Sequence, residues 1–327
     1  MSTVNVSHQV LYSLKNVKKH YPIKGGIFKT VKNHVKAVDG ISLDIYKGET
    51  LGVVGESGCG KSTLGRTILG LESATEGEMV FKGENISTKS QRQLKPFKRE
   101  MQMIFQDPYA SLNPKQQIGQ AIEEALIIHT DLSSAERREK VVQLLKEVGL
   151  KEEHYERYPH EFSGGQRQRI GIARAIAINP SFIVCDEPVS ALDVSVQAQV
   201  IMLLEDLQKK HGLTYLFVSH DLGVVRHLCD RVLVMYLGQM VELAPVERLY
   251  ENPLHPYTEA LISAIPRPVV GQRRERIRLK GDLPSPADPP AGCAFHTRCP
   301  LATELCRAER PEWREVEEGH FAACHYR

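Results

Sequence analysis

Short apolar runs, rich in β-branched residues and separated by longer amphipathic stretches, set the pattern of this chain. Leu51–Val54, Phe182–Cys185, Tyr215–Val218 and Val232–Met235 are non-polar at every position rather than at alternate ones. Such runs predict strands covered on both faces, as in a parallel sheet with helices between its strands. Leu11–Tyr21 and Ala37–Ile45 predict two further short strands, with a turn at Lys24-Gly25-Gly26 and a solvated loop over the basic stretch Lys29–Lys36. Ser133-Ser134-Ala135-Glu136 reads as a capping box, Val141, Val142, Leu144, Leu145 and Val148 as the apolar stripe of the helix it opens, and Gly149 as its stop. A second helix is predicted over Gly165–Ala177, so that a helical block of about 110–178 interrupts the strands. From Asn252 the texture changes: Pro253, Pro256, Pro266, Pro268, Pro284, Pro286, Pro289 and Pro290 crowd in and periodicity fades. We therefore expect a main domain over 1–251 and a small irregular extension over 252–327.

Composition narrows the class only a little. The 327 residues are 42% hydrophobic and 25% charged, as in an ordinary soluble globular protein. A net charge of +2 gives no argument for nucleic acid or an acidic partner. No apolar run reaches the roughly 18 residues that a membrane span needs. The N-terminal residues lack a charged-then-apolar signal pattern, so the expected compartment is the cytosol. Seven cysteines are then poor disulfide candidates.

The chemistry is concentrated in one loop. Gly55-Glu56-Ser57-Gly58-Cys59-Gly60-Lys61-Ser62, followed by Thr63, is a complete phosphate-binding loop between a predicted strand and a helix. Gly55, Gly58 and Gly60 permit the tight turn that aims backbone N–H groups inward. Lys61 supplies a mobile charge for the β- and γ-phosphates, and Ser62 a hydroxyl for Mg²⁺. The strand Phe182–Cys185 runs into Asp186 and Glu187. Asp186 is suited to hold Mg²⁺, and Glu187 to polarise the water that attacks the γ-phosphate. Ser163, Gly164, Gly165 and Gln166 open a helix, and Ser163 with the two glycines leaves backbone donors for a second anion site, a plain N-cap being the simpler alternative. One nucleotide does not need two such sites in one chain, which implies a dimer closing over it. Gln106 at a strand end can reach metal or water, His220 after Tyr215–Val218 can reach the γ-phosphate, and Tyr21 at the end of the first strand can stack on adenine. The run Ser190-Ala191-Leu192-Asp193 can face a partner subunit.

In order and spacing this series resembles the ATP-binding subunit of an ABC transporter over about residues 10–250. GESGCGKST matches the Walker A motif, SGGQR the signature, FIVCDE Walker B, SALD the D-loop and His220 the H-loop. The resemblance implies a P-loop ABC ATPase of α/β class. Its parts would be a RecA-like mixed-sheet core, an antiparallel β subdomain, an inserted α-helical subdomain and a Cys-rich C-terminal extension. It also implies head-to-tail pairing with two ATP sites, ATP and Mg²⁺ as ligands, and permease subunits as partners. By the same resemblance Tyr21 and residues 55–63 bind ATP, with Mg²⁺ on Ser62, Asp186 and Gln106. The partner's signature loop closes over the γ-phosphate, while Glu187 orients water and His220 holds the transition state.

The tail resembles one branch of that family. Asn252-Pro253-Leu254-His255-Pro256-Tyr257-Thr258, Leu283-Pro284-Ser285-Pro286 and Tyr109-Ala110-Ser111-Leu112-Asn113-Pro114 are similar to the oligopeptide/dipeptide/nickel importer ATPases, nearest the second ATPase of a dipeptide system. That branch implies a second ATPase chain, two permeases, a substrate-binding protein and a peripheral place on the cytoplasmic face of the inner membrane. Nickel, haem or another small solute is the alternative cargo. A soluble ABC ATPase acting on nucleic acid is the alternative class, disfavoured by a single cassette without heptads or a basic stripe. Cys293, Cys299, Cys306 and Cys324 follow the spacing C-x5-C-x6-C-x17-C. Four thiolates suffice for zinc or an iron–sulfur cluster, and the family resemblance favours a [4Fe–4S] cluster over zinc; four free, buried thiols are the plainer alternative.

Overall fold

The computed structural model describes residues 9–25, 30–265 and 276–327. Gly26 of the expected turn, Lys29, Pro266 and Pro268 lie outside the described residues. The chain divides into two compact units, residues 89–217 and the described part of 8–88 together with 218–327. In chain order the strands are β1 (Val10–Gly25), β2 (Thr30–Tyr46), β3 (Thr50–Val54), β4 (Glu76–Phe81), β5 (Glu84–Asn85), β6 (Met101–Ile104), β7 (Phe182–Asp186), β8 (Thr214–Val218), β9 (Arg231–Tyr236), β10 (Gln239–Pro245), β11 (Arg314–Glu317) and β12 (His320–Ala322).

In the larger unit, β2, β1, β4 and β5 form an antiparallel sheet in that order. Leu14 faces Leu43 and Val17 faces Ile41 across the long β1–β2 hairpin. Its inner half buries Tyr12, Leu14, Val17, Ile41 and Ile45. Tyr12 donates its hydroxyl to Ile68 O at 2.6 Å, tying this sheet to the helix Lys61–Ile68. The expected loop over Lys29–Lys36 is a correction: from Thr30 onward these residues belong to β2. They pair with β1 but are mostly exposed, so ladder hydrogen bonds rather than apolar burial hold them, and no hydrophobic alternation marks them. For the same reason the two strands are far longer than expected, at 16 and 17 residues.

The mixed sheet of this unit runs parallel from β3 to β9 and antiparallel from β9 through β10 and β12 to β11. Every residue of β3 is buried. The sheet continues into the tail, which corrects the expectation of an irregular appendage. Helices Pro256–Ser263 and Glu304–Ala308 and the β11–β12 hairpin order it. Two devices fasten it. Tyr236, Tyr257 and Phe295 meet edge-on or tilted, with ring centroids 4.9, 5.2 and 5.4 Å apart. Glu242, fully buried, accepts Leu254 N–H at 2.7 Å, His255 N–H at 2.8 Å and His320 Nε2 at 2.8 Å. A buried carboxylate without such donors would be strongly destabilising.

In the smaller unit, β6 and β7 run parallel with Met103 opposite Val184, and β8 follows β7. All of β7 and β8 is buried, as uninterrupted apolar runs require. The helix Ser134–Glu147 opens on the expected capping box, with Ser133 and Glu136 reciprocally bonded, and Gly149 follows its end. The second expected helix spans Gly164–Ile176. Arg169 donates to Val148 O at 2.8 Å, joining the end of one helix to the side of the other. The architecture is α/β, with a mixed sheet and a separate antiparallel sheet.

Burial pushes His255 down from 6.5 to about 4. Its Nδ1 accepts Tyr257 N–H at 3.1 Å and caps Pro256–Ser263, which requires an unprotonated nitrogen there. Above pH 6.5 the ring is neutral folded and unfolded, and the cap is intact. As pH falls toward 4 the unfolded chain binds a proton that the folded chain refuses, and stability is lost. The urea midpoint should therefore fall more steeply between pH 6.5 and 4 in the wild type than in His255→Asn, which keeps a capping acceptor without the titration. Parallel midpoint-against-pH curves would contradict this.

Candidate functional site

The phosphate loop begins where β3 ends. Gly55, at φ +152, lies against Met235 O, and a Cβ there would approach it to 2.3 Å. Gly60, at φ +104, leaves only 1.9 Å between a Cβ and Ala37 O. These two contacts explain why glycine alone serves at both positions. Gly60 precedes the helix Lys61–Ile68, whose N-terminal N–H groups and dipole favour an anion. Lys61 is 5% exposed, and its ammonium is held by Gly55 O at 2.8 Å and Glu56 O at 3.0 Å. Cys59 is fully buried and its thiol is pushed up by burial. Ser57 and Gly58 are exposed, while Ser62 and Thr63 are half-buried.

His220 is exposed and stands two residues beyond β8, a small shift from the strand end expected for it. Ser219 N–H donates to Val53 O at 3.1 Å, which ties this segment to the strand leading into the phosphate loop. Tyr21 is a correction. It does not end a strand, because β1 runs on to Gly25 and Tyr21 pairs with Val35. Its hydroxyl donates to Glu72, and burial with that carboxylate pushes the phenol up to about 12. Lys19 Nζ lies 4.8 Å from its ring centroid, so one face already carries a cation.

In the smaller unit the structure brings Gln106 and Glu187 together: Gln106 Nε2 donates to Glu187 Oε2 at 2.9 Å. Asp186, at the end of β7, is 2% exposed. Glu187 has φ +46, rare for a non-glycine residue, and its carbonyl accepts from Ser190 N–H and Oγ at 3.2 and 3.1 Å. A carboxylate held by strained backbone and one amide donor is placed to take a hydrogen bond from water. At the helix Gly164–Ile176, Ser163 and Gln166 form a second reciprocal capping box. The Ser163 N–H is therefore engaged by Gln166 and is not among donors left for an anion, in contrast to the expectation. Gly165 leaves 2.4 Å between a Cβ and Val196 Cγ1. Asp193 precedes the helix Val194–His211.

The tail supplies contacts that motif reading missed. Tyr257 Oη accepts Glu56 N–H at 2.8 Å, and Arg298 donates two hydrogen bonds to the Glu56 carboxylate at 2.5 and 3.0 Å. Neither residue carries a local signal beyond the tail's family likeness. Cys293, Cys299, Cys306 and Cys324 line one cavity of about 160 Å³ with Phe295 and Leu301. Burial pushes Cys293 up to about 11 and raises Cys299. All seven cysteines are free, and among the described residues no group of three or more His, Cys, Asp or Glu is arranged to hold a metal ion.

Comparison with known proteins defines first the class and then the branch. Residues 38–190 match the family described as ABC transporter, and residues 241–306 match the oligopeptide/dipeptide transporter C-terminal region. The oligopeptide transport ATP-binding protein AppF of Bacillus subtilis is 56% identical, covering 98% of each chain. The dipeptide transport ATP-binding protein DppF of Escherichia coli is 50% identical, covering 99% of this chain and 97% of its own. A solved structure titled as the dimeric post-hydrolysis state of the ATP-binding cassette MJ0796, bound to ADP and Pi, is similar with a TM-score of 0.64 at 31% identity, covering 72% of this chain and 98% of that one. The chain belongs to the ABC transporter ATPases, in the branch that carries the oligopeptide/dipeptide transporter C-terminal region.

Because Gly60 is both at positive φ and in contact with Ala37 O, Gly60→Ala should displace the loop. Equilibrium dialysis should show ATP affinity reduced at least about fivefold, for a strain of about 1 kcal/mol or more. Unchanged affinity would mean that the loop does not hold the nucleotide.

Proposed function

We propose that this chain is the ATP-hydrolysing subunit of a membrane importer of di- and oligopeptides. The observation that carries the reading is the union, in one chain, of the full ATPase motif series with the oligopeptide/dipeptide transporter region. Relatives named for oligopeptide and dipeptide transport, matching at 56% and 50% identity over nearly the whole chain, support it. Among the described residues no helix is long and apolar enough to cross a membrane. In this reading the subunit acts on permease neighbours, as a peripheral protein on the cytoplasmic face of the inner membrane, in keeping with relatives named for peptide transport. A second ATPase chain, two permeases and a substrate-binding protein complete the assembly.

In this reading residues 55–63 cradle the phosphates, Lys61 moves from its carbonyls onto the β- and γ-oxygens, and Tyr21 contacts the base. Asp186, Ser62 and Gln106 would hold Mg²⁺, which would supply positive charge against the phosphate oxygens. Glu187 accepts a proton from the attacking water and His220 hydrogen-bonds the departing group. The partner ATPase's signature loop completes this site, and this chain's Ser163–Gln166 segment, at a helix N-terminus, completes the partner's. Catalysis is positioning with charge neutralisation.

Glu187→Gln should keep ATP binding, lower hydrolysis about a hundredfold or more, and fail to restore uptake of labelled di- and oligopeptides to a strain lacking the wild-type chain. Full turnover in that variant would remove Glu187 from its role. Wild-type complementation of another solute's uptake, with no effect on peptides, would replace the cargo.

The cysteine cavity is read as the place of a [4Fe–4S] cluster. Four thiols around one space fit a four-iron group in donor number and chemistry, although their present arrangement is not that of a formed metal site. When bound, such a group would staple the tail by four Fe–S bonds. Protein purified without oxygen should carry about four irons per chain and absorb visible light, and Cys306→Ser should lose both. A colourless, iron-free protein with a folded tail would leave four buried thiols.

A further inference from the structure

Glu56 is the second residue of the phosphate loop, and all three of its polar groups are engaged. Its N–H donates to Tyr257 Oη at 2.8 Å, its carbonyl accepts Lys61 Nζ at 3.0 Å, and its carboxylate is gripped by Arg298 in a two-pronged ion pair. Two of these three partners come from the tail. The pair is well shielded: the Arg298 side chain is 8% exposed and that of Glu56 is 29% exposed. Arg298 also lies 6.0 Å from the Tyr236 ring centroid, beside the aromatic cluster that holds the tail.

The charges have an evident consequence for an anion. A carboxylate inside a loop built to receive phosphate repels it, and in partly dehydrated surroundings that repulsion is much larger than in water. A guanidinium paired with the carboxylate through two hydrogen bonds cancels that charge at short range and fixes its direction. The Tyr257 hydroxyl, accepting the adjacent N–H, holds the same peptide from the other side. With the Glu56 backbone held in this way, Lys61 can exchange carbonyls for phosphate oxygens without the loop following it.

We propose that Arg298 and Tyr257, both in the C-terminal extension, are positioning residues for nucleotide binding: through Glu56 they set the shape and charge of the phosphate loop, so that ATP affinity is under control of the tail. The inference rests on the reading of residues 55–63 as the ATP loop. It makes the extension a part of the ATPase rather than a separate appendage.

A double-substitution cycle on the full-length protein tests it, with Mg–ATP as the titrant and KM and kcat measured alongside. Arg298→Met exposes an uncancelled Glu56 carboxylate and should weaken ATP binding about tenfold, with the loss in KM rather than kcat and reduced by added salt. Arg298→Lys keeps the charge and should recover much of the loss. Whatever Glu56→Gln does by itself, Arg298→Met should cost far less ATP affinity in the Glu56→Gln background than in the wild-type background, because no carboxylate is left to expose. Tyr257→Phe removes one oxygen atom and should weaken binding severalfold without unfolding the chain. If Arg298→Met weakens binding by the same factor with Glu56→Gln as without it, or if Arg298→Met and Tyr257→Phe both bind ATP normally, the tail does not act on the loop. Failure of the wild type itself to bind ATP would instead overturn the reading of the loop.

Discussion

The backbone of residues 55–60 is pressed so closely against neighbouring carbonyls that no side chain fits at two of its turns. Met235 O bounds it at Gly55 and Ala37 O at Gly60. β9 supplies the first of these walls and β2 the second. A loop that must present N–H groups to an anion has no hydrophobic core of its own. Its shape is borrowed from the strands packed around it. The long hairpin, the mixed sheet and the helix Lys61–Ile68 can thus be understood as the frame of one short peptide.

That frame extends into the tail. Three aromatic rings and the buried Glu242 network fasten the extension to β9 and β10, and from there Tyr257 and Arg298 reach Glu56. Apolar burial gives the tail its adhesion, whereas the polar groups give it register, because a buried carboxylate with three donors tolerates only one arrangement. Four cysteines sharing one cavity lie on the same tail, Cys293 and Cys299 on either side of Arg298 in the chain.

The smaller unit shows a different use of strain. Glu187 adopts a left-handed backbone that most side chains avoid, and Gln106 holds its carboxylate through one amide. Ser163 and Gln166 cap each other, so the helix they open has a fixed start. Both arrangements fix polar groups through contacts made within the chain itself.

Sequence alone was sufficient where local chemistry dictates the outcome. The all-apolar strands β3, β7, β8 and β9, the capping box at Ser133, the helix after Ser163 and the glycines of the phosphate loop are each specified by neighbouring residues. So was the family. Tertiary structure decided whatever depends on pairing over distance. The outer half of the hairpin, including Thr30–Lys36, has no periodicity because backbone ladders hold it. Tyr21 moved from a strand end into a strand interior for that reason. The tail's hairpin joins β10 through Glu242 opposite Ala322, a contact across 80 residues that no local pattern encodes. The grip of Arg298 on Glu56 joins positions 242 residues apart, and only the folded chain brings those charges together.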